Sequence, residues 1–90
     1  MTMKEFMASN DSDGFVKEKI AAMQFHVELC LINMKEGAFF EYREHLKTVQ
    51  QNYYAVYGYL CASHAYGCIT SENLESLVSE AIELSKIKLG

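Results

Sequence analysis

Residues 15–36 read FVKEKIAAMQFHVELCLINMKE and are followed directly by Gly37. Apolar side chains recur in this stretch at steps of three and four residues, the spacing that places them on one side of an α-helix. These side chains are Val16, Ile20, Met23, Val27, Cys30 and Met34. A glycine directly after such a stretch is typical of a left-handed residue that ends a helix. The stretch therefore predicts a long helix from Phe15 to about Glu36.

The residues after Gly37 repeat the pattern and predict a second long helix, from Ala38 to about Ala65, with Gly67 marking its end. Its predicted core stripe consists of Phe39, Tyr42, Leu46, Val49, Tyr53, Val56, Tyr57 and Leu60. Two long helices joined by a very short turn pack side by side in opposite directions. The central part of the chain is therefore predicted to be an antiparallel helical hairpin.

Two further helices are predicted outside the hairpin. Thr2 and Glu5 have the spacing of a capping box, which opens a short helix that ends near Ser9. Ser12 or Asp13 is expected to cap the helix that begins at Phe15, and Ser71 to cap a third long helix. The apolar stripe of that third helix comprises Leu74, Leu77, Val78, Ala81, Leu84 and Leu89. We therefore predict an all-α fold in which residues 1–90 form one domain.

A second apolar row on the first long helix predicts an interface. Ala22, Phe25, Leu29 and Ile32 lie nearly opposite the core row when the helix is drawn at about 100° per residue. The third helix is too short to reach the hairpin tip, where Phe40 lies. We expect these five residues to form the interface of a homodimer that completes a helical bundle. The alternative is that the N-terminal helix, or a different helix register, covers them.

Composition argues against several classes of function. The net charge is -4 and the Lys and Arg residues are dispersed, whereas a nucleic-acid-binding surface needs them clustered. No apolar run reaches the roughly 18 residues that a membrane-spanning helix requires. The three cysteines form no dense framework and no export signal is recognisable, so we expect reduced thiols and a cytoplasmic location.

Two sets of residues are candidates for ligand binding. Cys61, His64 and Cys68 have spacing that would suit zinc, although Gly67 interrupts the helix before the third ligand. Two small buried thiols and a histidine that faces the third helix explain these residues better, and we expect neither a metal nor another cofactor. Tyr54 and Tyr59 are candidates for a surface that contacts a ligand or a partner.

The residues therefore favour a non-enzymatic protein-interaction module, namely an adaptor, an inhibitor or a regulatory subunit with a protein partner of unknown identity. No nucleophile, base and orienting group share one helix face, as catalysis by an activated nucleophile requires. An alternative function is a small-ligand or nucleotide binder that uses a tyrosine-lined groove between helices or chains. A third alternative is a domain stabilised by a metal at Cys61, His64 and Cys68.

Overall fold

The computed structural model describes residues 1–88, which contain four α-helices and no strand. The helices are α1 (Met3–Asn10), α2 (Phe15–Glu36), α3 (Phe39–Ala65) and α4 (Ser71–Ser85). The predicted all-α hairpin with a short N-terminal helix and a third packed helix is confirmed. Leu89, which was predicted to extend the stripe of α4, lies outside the described residues. None of the helices in residues 1–88 has the length and apolar character needed to span a bilayer.

The hairpin turns at Gly37, as predicted, because this residue adopts a left-handed conformation with φ of 71°. The backbone N–H of Gly37 donates to the Met34 carbonyl at 3.2 Å, and that of Ala38 donates to the Asn33 carbonyl at 2.8 Å. These bonds satisfy carbonyl groups that the end of a helix leaves without partners. The turn thereby brings α3 back along α2 after only two residues.

The start of α1 is confirmed and the predicted cap of α2 is wrong. Thr2 and Glu5 form the capping box, with each side chain accepting from the other residue's backbone N–H. At α2, however, neither Ser12 nor Asp13 is the N-cap; Gly14 holds that position with φ of 73°. This left-handed residue turns the chain so that the carboxylate of Asp11, further upstream, lies over the first turn of the helix.

The predicted cap of α4 is wrong by one residue. Thr70 is the N-cap, and its hydroxyl accepts a hydrogen bond from the backbone N–H of Asn73 at 3.1 Å. Thr70 has the extended backbone that an N-cap requires, whereas Ser71 is already the first helical residue. The side chain of Ser71 instead bonds to His64 at the end of α3, with 2.9 Å between the Ser71 Oγ and His64 Nε2 atoms.

The core lies where α2, α3 and α4 meet, and α1 adds two side chains to it. Its buried apolar residues are Met3, Phe6, Val16, Ile20, Met23, Cys30, Val49, Val56, Leu60, Ile69, Leu77 and Ala81. The segment around α1 is tied to α4: the Ser76 hydroxyl donates to the Met1 carbonyl at 2.9 Å, and Glu80 accepts from the Met3 N–H. The short first helix is therefore an integral part of the packed structure.

The predicted core stripe of α3 is wrong at two positions. Phe39 is 67% exposed and Tyr57 is 43% exposed. At about 1.5 Å per residue, α4 is little more than half as long as α3. Its last residue, Ser85, comes close to Leu46 and Gln50, so Phe39 lies beyond its reach. Tyr57 directly follows the buried Val56, and one residue turns the side chain by about 100° away from the core.

Candidate interaction surface

The outer side of α2 carries the exposed apolar row that the sequence predicts. We call Ala22, Phe25, Leu29 and Ile32 the outer row. Phe25 is 59% exposed and Ile32 is 49% exposed, while Ala22 and Leu29 are half-buried. Phe25 and Ile32 each follow a buried core residue by two positions, which turns them about 200° around the helix axis. The outer row therefore faces away from the core of the chain.

Phe40 does not join the outer row. Its side chain is 72% exposed, but it precedes the buried Val49 by nine residues, which is about two and a half helical turns. Phe40 therefore points away from the core on the side of α3, whereas Phe25 and Ile32 point away from it on the side of α2. The five residues predicted as one interface lie on two separate surfaces of the hairpin.

The N-terminal helix does not cover the outer row, because its large apolar side chain is used elsewhere. Phe6 is fully buried and approaches the ring of Tyr59 edge-on, with 6.1 Å between the ring centroids. Met7 is half-buried against the same core. The helix register also agrees with a simple antiparallel hairpin, because the Cys30 thiol lies 3.8 Å from the Tyr42 carbonyl oxygen.

A histidine pair joins α2 to α3 close to the outer row. The Nδ1 atoms of His26 and His45 are 2.9 Å apart, and the ring centroids are 5.0 Å apart with a 35° tilt between the planes. Both side chains are half-buried, and the ring of Phe25 packs edge-on against His26 at 5.4 Å. A nitrogen pair at this distance shares one hydrogen, so one ring donates and the other accepts.

The surroundings of His26 favour the uncharged form of its ring. Burial lowers the pKa of His26, and the adjacent His45 lowers it further because two imidazolium groups would repel each other. The neutral form is also the form in which an imidazole nitrogen can accept a hydrogen bond or bind a metal ion.

The two tyrosines predicted to form a contact surface have different surroundings. Tyr54 is 67% exposed. Tyr59 is half-buried, stacks on Phe15 with ring centroids 5.5 Å apart, and donates from its hydroxyl to the Asn10 carbonyl at 3.0 Å. Burial accordingly raises the pKa of Tyr59. This residue fastens the end of α1 and the start of α2 to α3, so most of its ring is engaged within the chain.

Each of the two tyrosines lines a shallow groove. A groove of about 150 Å³ beside Tyr54 is bounded by Leu46, Val49, Gln50, Tyr53 and Ser85. A larger groove, of about 330 Å³, lies beside Tyr59, and we call it the Tyr59 groove. Its other lining residues are Asn10, Ala62, Ser63, Tyr66 and Cys68. Neither set of lining residues includes Lys or Arg, so neither groove offers a cation to a phosphate group.

Cys61, His64 and Cys68 do not converge on one point. Cys61 lies beside Tyr57, and the hydrogen bond between them raises the pKa of the tyrosine. His64 bonds to Ser71, while Cys68 is exposed at the Tyr59 groove. Over residues 1–88, no three His, Cys, Asp or Glu side chains come close enough together to hold a metal ion. The spacing of these three residues along the sequence does not bring their side chains together, because Gly67, with φ of 76°, turns the chain before Cys68.

Sequence reasoning missed the histidine pair, although the sequence holds the signal that finds it. An antiparallel hairpin that turns at residues 37 and 38 brings each residue of α2 to within about one helical turn of the α3 residue for which the two numbers sum to about 75. The numbers of His26 and His45 sum to 71, about one helical turn from that value, and both residues lie at the edge of their helix's core stripe. The register of a hairpin therefore predicts contacts that the spacing within one helix cannot.

In comparisons with known proteins, no family model, no curated protein and no solved structure matches this chain.

Proposed function

We propose that this chain is a non-enzymatic protein-interaction module that acts as a homodimer through the outer row of α2. The observation that carries the proposal is the exposure of Phe25 and Ile32 on one helix face that α1, α3 and α4 all leave uncovered. Water contact with apolar side chains of this size is unfavourable by about 25 cal/mol per Å², and a partner that covers the row removes that cost.

The spacing of the outer row favours a second copy of the chain as the partner. Positions 22, 25, 29 and 32 are separated by three, four and three residues, so the row reads the same from either end. In two antiparallel α2 helices related by a twofold axis, Ala22 of one copy faces Ile32 of the other, and Phe25 faces Leu29. The small Ala22 then opposes the larger Ile32, and every apolar position meets another apolar position.

The contact is narrow, and its size sets the expected affinity. A stable interface buries about 800 Å² on each partner, and one helix face with four apolar residues supplies only part of that area. We therefore expect a dimer with a Kd on the order of micromolar. A reversible dimer of this kind suits an adaptor, inhibitor or regulatory subunit. All three cysteines are free thiols, which supports a place in the reducing cytoplasm.

Leu29→Glu is expected to convert the dimer to a monomer, raising Kd at least about 100-fold because a charge would be buried without a partner at the centre of the interface. Sedimentation equilibrium over a range of protein concentrations measures this change, with circular dichroism to show that the variant is folded. Phe40→Glu is the matched control: it also adds a carboxylate at an apolar position, but on the opposite surface, so Kd should stay within about threefold.

A wild-type chain that remains a monomer at millimolar concentration contradicts the proposal. So does a folded Leu29→Glu variant whose mass in solution equals that of the wild type. If Phe40→Glu dissociates the dimer and Leu29→Glu does not, the interface lies on the α3 side of the hairpin.

The small-ligand alternative has one supporting observation, the Tyr59 groove, whose volume of about 330 Å³ lies at the lower end of the range for small-molecule sites. Its aromatic walls and lack of cations suit a small aromatic compound better than a nucleotide. This alternative predicts that a panel of nucleotides and aromatic metabolites contains a compound that raises Tm, and that Tyr66→Ala removes the effect. The dimer proposal predicts no such compound.

A further inference from the structure

The histidine pair brings two nitrogen ligands together on separate helices. His26 and His45 approach through Nδ1 at 2.9 Å, and each ring is carried by a helix of more than twenty residues. The connecting turn at Gly37 and Ala38 is held by two backbone hydrogen bonds. The edge-on contact of Phe25 with His26 restricts rotation of that ring. The two nitrogens are therefore held close together before any ligand arrives.

The separation of the nitrogens matches one class of coordination geometry. Metal ions bind imidazole nitrogen at about 2.0 Å. For an ion at this distance from two nitrogens that are 2.9 Å apart, the nitrogen–metal–nitrogen angle is about 90°. That angle belongs to adjacent positions of a square-planar or octahedral ion, whereas a tetrahedral ion needs the nitrogens about 3.3 Å apart. Nickel(II) and copper(II) adopt the former geometries and prefer imidazole ligands.

We propose that His26 and His45 form a two-nitrogen binding site for a divalent nickel or copper ion, bridging α2 and α3. Both Nδ1 atoms bind the ion after the hydrogen that they share moves to Nε2 of the same ring, so the pair loses no proton overall. Water molecules complete the coordination of the ion. No third His, Cys, Asp or Glu side chain within residues 1–88 joins the pair, which limits the site to two protein ligands.

Binding of Ni²⁺ is the direct test, because nickel does not oxidise thiols under reducing conditions. Isothermal titration calorimetry of the chelator-treated chain should show one Ni²⁺ per chain. His26→Gln and His45→Gln should each weaken binding at least about tenfold, because each leaves a single protein ligand. The matched controls are His64→Gln and Cys68→Ser, which remove the third histidine and the exposed thiol and should leave the Kd within about twofold.

A second measurement decides the question if the glutamine variants fail to fold. Paramagnetic Ni²⁺, added in substoichiometric amounts to the ¹⁵N-labelled wild-type chain, should broaden the imidazole nitrogen resonances of His26 and His45 together and leave those of His64 in place. The proposal is overturned if no Ni²⁺ binds at millimolar concentration, if folded His26→Gln binds as tightly as the wild type, or if only the His64 resonances broaden.

Discussion

Phe6→Ala is expected to lower the free energy of unfolding by about 3–5 kcal/mol, the usual cost of removing a fully buried phenylalanine ring. The Phe6 side chain is completely inaccessible to water and packs edge-on against Tyr59. An eight-residue helix is not stable by itself in water, so α1 depends on such contacts. Loss of the ring therefore leaves a cavity and weakens the attachment of the whole helix.

Urea denaturation followed by circular dichroism measures this loss, and Phe40→Ala is its control. The same side chain is removed, but Phe40 is largely exposed, so the free energy of unfolding should change by no more than about 0.5 kcal/mol. Both proteins should be measured below the Kd of the proposed dimer, since dimerisation adds to apparent stability. Equal losses for the two variants would show that α1 is not packed as described.

The approximate extent of the helices could be predicted mainly from local chemistry. The apolar spacing in residues 15–36 and the left-handed Gly37 both act within a few residues, and the structure confirms both. The capping box of Thr2 and Glu5 is equally local. Features of this kind depend little on what the rest of the chain does, so one sequence is enough to locate them.

Features that depend on how helices pack were predicted less well. The spacing within α3 places Phe39 and Tyr57 near the core stripe, but the length and position of α4 decide what is covered. In the same way, the outer row follows from α2 alone, whereas its separation from Phe40 depends on how α2 and α3 face the core. The histidine pair also required the register between two helices. The part of the candidate surface that lies on one helix was thus predictable from the sequence, whereas the parts that depend on the packing of two helices were not.

Asp11 shows that even the capping of a helix can depend on how the chain packs. Its carboxylate accepts from the backbone N–H of Val16 and of Lys17, both at 2.9 Å, although Asp11 lies four residues before α2 begins. The side chain is buried, unlike the serine and aspartate that follow it. The negative charge also lies at the positive end of the helix dipole. One side chain therefore satisfies two of the four unpaired donors at the start of α2.

Asp11→Ala is expected to lower the free energy of unfolding by about 2–3 kcal/mol, because the buried N–H of Val16 and the partly buried N–H of Lys17 lose a charged acceptor. The matched control is Asp13→Ala. Asp13 is exposed and accepts only from the Phe15 N–H at 3.2 Å, so its loss should cost less than about 1 kcal/mol. Urea denaturation at pH 7 compares the two. A larger effect at Asp13 would mean that the exposed loop carboxylate, as the sequence first suggests, is the true cap of the helix that carries the outer row.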